Sequence, residues 1–154
     1  MLLTIAAVGR AKHPPERALV AHYLKLTRWE VRVKEIADAP THLPTEQRTA
    51  REAEAILKMC GPSTRMIALD ARGKALTSPQ IYDLVRAARL ASVKEMIFVI
   101  GGQDGLHERV LTTAFATISF GVVTWPHQLL RAMLAEQLYR AYTIDIGHPY
   151  HAGH

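Results

Sequence analysis

Apolar residues along the chain form short uninterrupted runs that alternate with longer segments of helical spacing. The run from Leu3 to Val8 ends at Gly9, which is the pattern of a strand covered on both faces of a sheet. Pro14-Pro15 then opens a helix to about Leu26, in which apolar residues recur every three or four positions. The same two patterns repeat along the rest of the chain.

Loops marked by proline and glycine separate the later elements. The sequence predicts strands at 31–34, 66–69, 96–100 and 116–120, and helices at 45–59, at 78–90 and from Pro126 onward. Strands that alternate with helices in this way indicate βαβ units. We therefore expect an α/β fold with a mostly parallel sheet and helices on both faces, built as one domain of residues 1–154.

Three loops at the predicted carboxyl ends of the strands are candidates for binding, because ligands of such sheets lie there. They are 69–73, 101–105 and 120–125. Gly101-Gly102-x-x-Gly105 would let a ligand approach the backbone closely, but a tight strand-to-helix turn explains the same glycines equally well. Neither G-x-G-x-x-G nor the P-loop motif occurs, which disfavours classical dinucleotide and P-loop sites.

Composition narrows the class of protein. With 49% hydrophobic and 21% charged residues the chain is of the ordinary globular kind, and its longest apolar run, Met96 to Ile100, is too short to cross a bilayer. No basic segment precedes the first apolar run, so we expect no secretory signal and a cytoplasmic protein. Cys60 is the only cysteine, which excludes an internal disulfide. The net charge of +5 favours a polyanionic partner such as nucleic acid.

The last fifth of the chain combines an amphipathic helix with a polar and aromatic tail. Glu136 and Arg140 are spaced as an ordinary i, i+4 ion pair, but Arg131 and Arg140 could instead form a wall that binds phosphates. His148, His151 and His154 are three residues apart. No cysteine or nearby carboxylate cluster completes a metal site with them, so we predict none.

Several motifs in the same order resemble the ribosomal RNA large subunit methyltransferase H family, of the SPOUT class. They are Ile100-Gly101-Gly102-x-x-Gly105-Leu106, the segment 120–127, the segment 136–141 and the terminal Tyr150-His151. The resemblance implies a C-terminal trefoil knot and S-adenosylmethionine as the methyl donor. It also implies a homodimer that methylates N3 of a pseudouridine in 23S rRNA within the assembled ribosome.

The resemblance places the cofactor site on the loops at the ends of the strands. The implied residues are Leu69, Gly101, Phe120, Gly121, Val122, Val123, Thr124 and Trp125. Leu69 and Val122 are apolar and suited to sandwich an adenine, while backbone groups at Gly101 and Val123 can bind its edge and the ribose.

The resemblance also draws attention to Tyr150, His151 and Arg140 as catalytic residues. Methyl transfer from a sulfonium needs the acceptor in line, and the imide nitrogen must lose its proton. We expect the tail to close over the target base, with Tyr150 stacked on it and His151 near the proton. Arg140 would favour the anionic base. The chain continues through Ala152-Gly153-His154, beyond the point at which relatives often end.

Two alternatives remain open from the sequence. One is a ribosome-associated binding protein with a parallel sheet and no activity. The other is a flavodoxin-like binder of a small molecule, for which residues of a phosphate-binding loop are poorly supplied. Binding of S-adenosylmethionine separates them, because only the methyltransferase requires that ligand.

Overall fold

A computed structural model of the protein describes residues 1–152. Its strands are β1 (Leu2–Val8), β2 (Val31–Ile36), β3 (Thr64–Ala75), β4 (Glu95–Ile100) and β5 (Ala116–Ser119). Its helices are α1 (Pro14–Leu26), α2 (Thr45–Leu57), α3 (Ser78–Leu90), α4 (Glu108–Thr113) and α5 (His127–Asp145), and a 3₁₀ turn at Pro149–His151 follows. Within these residues, no helix has both the length and the apolar character needed to cross a membrane.

The strands form one sheet in the order β2-β1-β4-β3-β5, and every neighbouring pair is parallel. β1 and β4 lie at its centre, where every residue from Leu3 to Val8 and from Met96 to Ile100 is buried. Uninterrupted apolar runs are what such strands require, because helices cover both of their faces. The predicted α/β fold with a parallel sheet is confirmed.

The helices divide between the two faces according to the direction in which the chain moves across the sheet. The steps from β1 to β2 and from β3 to β4 run one way, and α1 and α3 share one face with α5. The steps from β2 to β3 and from β4 to β5 run the other way, and α2 and α4 cover the opposite face. Right-handed crossover connections produce this division.

β3 pairs with β5 across an irregular stretch. Leu69 and Lys74 of β3 both lie opposite Ile118, so the residues between them bulge out of the pairing. Gly73, in this bulge, lies so close to β5 that a Cβ would come 2.6 Å from the backbone carbonyl carbon of Thr117. The loop predicted at 69–73 is therefore a bulge inside a longer strand, because β5 continues to pair with the chain beyond it.

Two helices differ from the sequence-based expectation. The short helix α4 has no predicted counterpart, and it begins where Nδ1 of His107 accepts a hydrogen bond from the backbone N–H of Arg109 at 3.1 Å. α2 ends at Leu57 instead of Met59. Its last turn tightens because the N–H of Met59 bonds three residues back, to the carbonyl of Ile56.

Replacing Gly73 by alanine tests the close contact between β3 and β5. The new methyl group would meet backbone atoms that cannot rotate away, so we expect Gly73→Ala to lower the free energy of unfolding by about 1–3 kcal/mol. Urea denaturation measures the change. Gly61→Ala is the matched control, because a Cβ there meets nothing within 4 Å. Equal stability of the two variants would show that the strands separate without cost.

Candidate active site

A cavity of about 400 Å³ opens at the carboxyl ends of β3, β4 and β5. Leu69, Ile100 and Ile118 line it where these three strands end. The bulge of β3, the glycine loop after β4 and the segment between β5 and α5 form its walls. Its position is the one expected for ligands of parallel sheets, and its volume lies within the roughly 300–1,000 Å³ of small-molecule sites. We call it the donor cavity.

The glycine loop folds closely on itself. A Cβ on Gly101 would come 2.7 Å from the carbonyl carbon of Gly105, and Gly105 adopts a φ of +75°. The N–H of Gly105 donates a hydrogen bond to the carbonyl of Gly102 at 3.1 Å. At Gly101 the close approach of backbone therefore excludes any side chain, and this wall of the donor cavity consists largely of main-chain groups.

The segment from β5 to α5 is held in shape by its own hydrogen bonds. The hydroxyl of Ser119 donates to the carbonyl of Gly121 at 2.7 Å and accepts from the N–H of Gly121 at 3.2 Å. The indole N–H of Trp125 donates to the carbonyl of Phe120 at 3.0 Å. These bonds close a compact loop along one side of the donor cavity.

One carboxylate lines the donor cavity, and it is paired. Asp70 accepts hydrogen bonds from the backbone N–H of Arg72 at 2.9 Å and from its Nε at 2.8 Å. The Arg72 guanidinium beside it holds the pKa of Asp70 below the usual value. The carboxylate therefore stays ionised at neutral pH and balances the charge of the neighbouring arginine.

The predicted cofactor residues lie together with one exception. Leu69, Gly101, Phe120, Gly121, Val123, Thr124 and Trp125 all line the donor cavity. Val122 does not line it, and its side chain is 99% exposed. An adenine sandwiched between Leu69 and Val122 is therefore not an arrangement that this single chain forms, because the two side chains do not share the cavity.

The predicted catalytic residues lie apart from the donor cavity: Arg140 is on the second half of α5, and Tyr150 and His151 are in the 3₁₀ turn that follows it. We call these three residues and Glu136 the tail cluster. The hydroxyl of Tyr150 donates to Oε1 of Glu136 at 3.0 Å, and Nη2 of Arg140 donates to the same oxygen at 2.6 Å. The guanidinium carbon of Arg140 lies 4.9 Å from the centroid of the Tyr150 ring, and the Tyr139 ring lies 4.7 Å from it. Burial and the Glu136 carboxylate raise the pKa of Tyr150 well above its usual value, so its phenol stays protonated.

The tail cluster lies at a distance from the donor cavity. His127 lines the cavity at the first turn of α5, whereas Glu136 and Arg140 come nine and thirteen residues later. At 1.5 Å per residue this separation is about 14–20 Å along the helix. Within one chain, Tyr150 and His151 therefore do not line the donor cavity. Gly153 and His154, part of the predicted tail, lie outside the described residues.

A phosphate-binding wall made of Arg131 and Arg140 is not formed. Arg131 is 2% exposed, and its Nη2 donates to the carbonyl oxygens of Val8 and Gly9 at 2.9 and 3.0 Å. Arg140 is paired with Glu136. The prediction failed for Arg131 because the helical pattern of the sequence does not reveal that this position faces the end of β1.

A second opening, of about 380 Å³, adjoins the donor cavity, and we call it the polar cleft. Gln103 and His127 line both openings. The other walls of the polar cleft come from the loops after β1, β2 and β4 and from α2, and they carry charges of both signs. Among them are Arg10, Lys12, Asp38, Arg48 and Asp104. The sequence alone predicts no role for His127, although the motif at 120–127 contains it.

The environment of His127 favours its neutral form. Burial is the largest cause that lowers its pKa, followed by the positive charge of Arg131. His13 and Lys12 act in the same direction, whereas Asp38 opposes them. The imidazole is therefore uncharged at neutral pH and has a lone pair with which it can accept a proton.

The chain belongs to the SPOUT methyltransferase family: residues 1–151 match the family model described as "Predicted SPOUT methyltransferase". Relatives named "Ribosomal RNA large subunit methyltransferase H" are similar to it over almost their whole length. The protein of Rhodospirillum rubrum is 42% identical over 151 residues, which cover 98% of this chain and 99% of that protein. The protein of Rhodospirillum centenum is 41% identical over 151 residues, with the same coverage. The family resemblance noted in the sequence is confirmed.

The fold is also similar to that of a solved structure, a probable methylase family protein from Haemophilus influenzae Rd KW20. The TM-score is 0.56 at 14% sequence identity, and the match covers 96% of this chain and 69% of that one. At such low identity the similarity concerns the fold alone.

Replacing Tyr150 by phenylalanine tests the hydrogen bond that anchors the tail cluster. The ring keeps its contact with Tyr139 but loses its bond to Glu136, so we expect a loss of about 1 kcal/mol in the free energy of unfolding. Tyr142→Phe is the control, because the Tyr142 hydroxyl has no hydrogen-bond partner within residues 1–152. Chemical denaturation compares them. Equal stabilities would show that the bond to Glu136 contributes nothing.

Proposed function

We propose that the protein transfers a methyl group from S-adenosylmethionine to N3 of a pseudouridine in 23S rRNA of the assembled ribosome. Residues 1–154 act as one methyltransferase domain, and the ribosomal substrate implies a cytoplasmic enzyme. The observation that carries the proposal is the donor cavity, which lies where the loops of three parallel strands meet in a chain of the SPOUT family.

The residues around the donor cavity suit an adenosyl group with a charged sulfur. Leu69, Leu106 and Leu130 offer apolar surface for the adenine, and the glycine loop offers backbone donors and acceptors for its polar edge and the ribose. When bound, the donor supplies an electrophilic methyl group on a sulfonium. The chain's own part is to hold the reacting carbon in a fixed direction and to exclude water.

We further propose that the C-terminal part of the chain forms a trefoil knot. β5 lies outside β3, yet α5 packs with α1 and α3 on the face toward which β3 sends its own connection. The chain after β5 must therefore cross the connection between β3 and α3. Residues 75–78 of that connection lie around one groove with residues 119–121 and the start of α5. This proximity supports the proposal that the chain passes through the loop here.

The active enzyme in this proposal is a homodimer. The tail cluster is too far along α5 to reach the donor cavity of its own chain, so it acts on that of the partner. Val122 and Val123, at the rim of the donor cavity, are 99% and 55% exposed, and exposed apolar side chains in one patch mark an interaction surface. Tyr150, His151 and Arg140 of one chain then contact the RNA held at the cavity of the other.

The test of the function uses intact ribosomes from a strain that lacks this protein. Purified enzyme and S-adenosylmethionine labelled in the methyl group are added, and the modified nucleotide is located in the RNA. We expect label on N3 of one pseudouridine of 23S rRNA. Calorimetry with the donor alone separates the non-catalytic alternative. A ribosome-associated protein without activity would bind ribosomes but neither bind the donor nor transfer label.

Gly101→Ala tests the donor site. A Cβ at this position would come 2.7 Å from the carbonyl carbon of Gly105, so the glycine loop must open and the cavity wall must move. We expect donor affinity to fall at least about tenfold, a loss of about 1.4 kcal/mol. Calorimetry measures the affinity, and Gly61→Ala again serves as the control. Unchanged affinity would place the donor elsewhere.

His151→Ala tests the tail. We expect turnover on ribosomes to fall strongly while donor affinity and dimerisation persist, because His151 does not line the donor cavity of its own chain and in this proposal acts on the RNA. Unchanged turnover would rule out this role.

A mixing experiment then asks which chain the tail serves. Heterodimers of the His151→Ala and Gly101→Ala chains contain one intact donor cavity facing one intact tail if the tail acts on its partner. Activity that returns on mixing supports this arrangement. If a verified heterodimer of the two variants stays inactive, each tail acts on the donor cavity of its own chain.

A further inference from the structure

The polar cleft and His127 have no part in the function as stated so far. We propose that the polar cleft holds the target nucleobase and that the imidazole of His127 accepts the proton of the nitrogen that is methylated. This inference rests on the proposed function, because it needs a methyl donor in the adjoining donor cavity.

The position of His127 is the first argument. Of the titratable side chains in residues 1–152, it is the one that lines both the donor cavity and the polar cleft. A nitrogen in the polar cleft that approaches a methyl group in the donor cavity therefore comes near this ring and near Gln103, the other residue that lines both openings. Because His127 stands in the first turn of α5 and is half-buried, its position is fixed by the helix.

The polar cleft has the groups that a nucleobase and its phosphates need. The Asp38 carboxylate and the Gln103 amide have no side-chain hydrogen-bond partner within the described part of the chain, so they are available to the donors and acceptors of a base edge. Arg10 and Lys12 line the same cleft and suit phosphate. Arg48 and Asp104 pair with each other at 2.9 Å instead.

The acidic groups of the polar cleft are less well placed than His127 to accept the proton, because none of them lines the donor cavity. Glu52 accepts the N–H of Ala39 at 3.2 Å, and Asp104 is paired with Arg48. Carboxylates in general are weak bases toward an imide, whereas the ordinary pKa of a histidine lies near the working pH. The groups that face His127 keep its ring uncharged: Arg131 on α5 and Lys12 and His13 after β1 outweigh Asp38 after β2.

The step balances with these parts. The N–H bond of the imide breaks, and its proton passes to the neutral imidazole. The nitrogen lone pair forms the bond to the methyl carbon while the carbon–sulfur bond breaks. The sulfur keeps that electron pair, so the sulfonium becomes a neutral thioether, S-adenosylhomocysteine. The imidazolium then returns its proton to solvent.

His127→Gln tests the assignment directly. The amide cannot accept the proton, so we expect kcat on ribosomes to fall about 10²-fold or more, the usual contribution of a general base. Donor affinity measured by calorimetry and the melting temperature should stay near those of the wild type. His42→Gln, an exposed histidine outside both openings, is the matched control and should retain full activity.

The pH dependence identifies the group. Wild-type kcat/KM should fall on the acid side as His127 becomes protonated, at a pH below the ordinary histidine value, and His127→Gln should lack this acid limb. NMR titration of His127 in the free protein gives the same midpoint without any assay of activity. Asp38→Asn removes a charge that favours the imidazolium, so both midpoints should move to lower pH. Lys12→Gln should move both to higher pH.

The possible results of these experiments distinguish failure of this inference from failure of the proposed function. Near-normal kcat in His127→Gln would overturn the inference while leaving the proposed function intact, and so would an acid limb that persists in this variant but disappears in His151→Gln. If the His127→Gln chain fails to fold, the paired shifts of Asp38→Asn and Lys12→Gln remain as the test. Midpoints of kcat/KM that do not follow the NMR midpoints would contradict the inference. Wild-type enzyme that transfers no methyl to ribosomes would overturn both proposals.

Discussion

The contact of backbone with backbone between the bulge of β3 and β5 is the constraint on which the carboxyl edge of the sheet depends. Gly73 allows the two strands to touch, and Ile118 pairs with residues on both sides of the bulge. β5 is thereby fixed outside β3, although it follows β4 in the chain. The segment after β5 must then turn back across β3, and it closes the donor cavity where it does so.

Helix α5 connects the two groups of polar residues at its ends. Its middle is anchored in the core through Leu134, Ala135 and Leu138, which are at most 1% exposed. A helix packed in this way is a rigid spacer, because a close-packed core does not deform continuously. The donor cavity at its first turn and the tail cluster on its second half therefore keep a fixed separation. That separation is the physical reason for a second chain in the proposed enzyme.

The sequence predicted what depends on local pattern and missed what depends on long-range contact. The apolar runs of β1 and β4 predicted a parallel sheet correctly, because burial on both faces leaves a direct mark on composition. Val122 was grouped with its neighbours by motif, but the direction of its side chain depends on how the loop closes through Ser119 and Trp125. Nothing in the helical period of α5 distinguishes Arg131, which is buried, from an arginine in solvent. The sequence could not show that His127 belongs to a site, because its neighbours Lys12 and Asp38 come from distant parts of the chain.

Buried Arg131 links the fold to the chemistry of the site. Desolvation of a guanidinium costs several kcal/mol, and burial lowers the pKa of Arg131 accordingly. Hydrogen bonds offset this cost. Nη2 of Arg131 donates to the carbonyl oxygens of Val8 and Gly9 at the end of β1, which would otherwise lack partners. Gln128 adds a bond from its amide to the carbonyl of Arg10 at 2.7 Å. The first turns of α5 are thereby tied to the loop that forms one wall of the polar cleft. Because Arg131 stands one helical turn after His127, the charge that secures this junction adds to the effect of burial in lowering the pKa of His127.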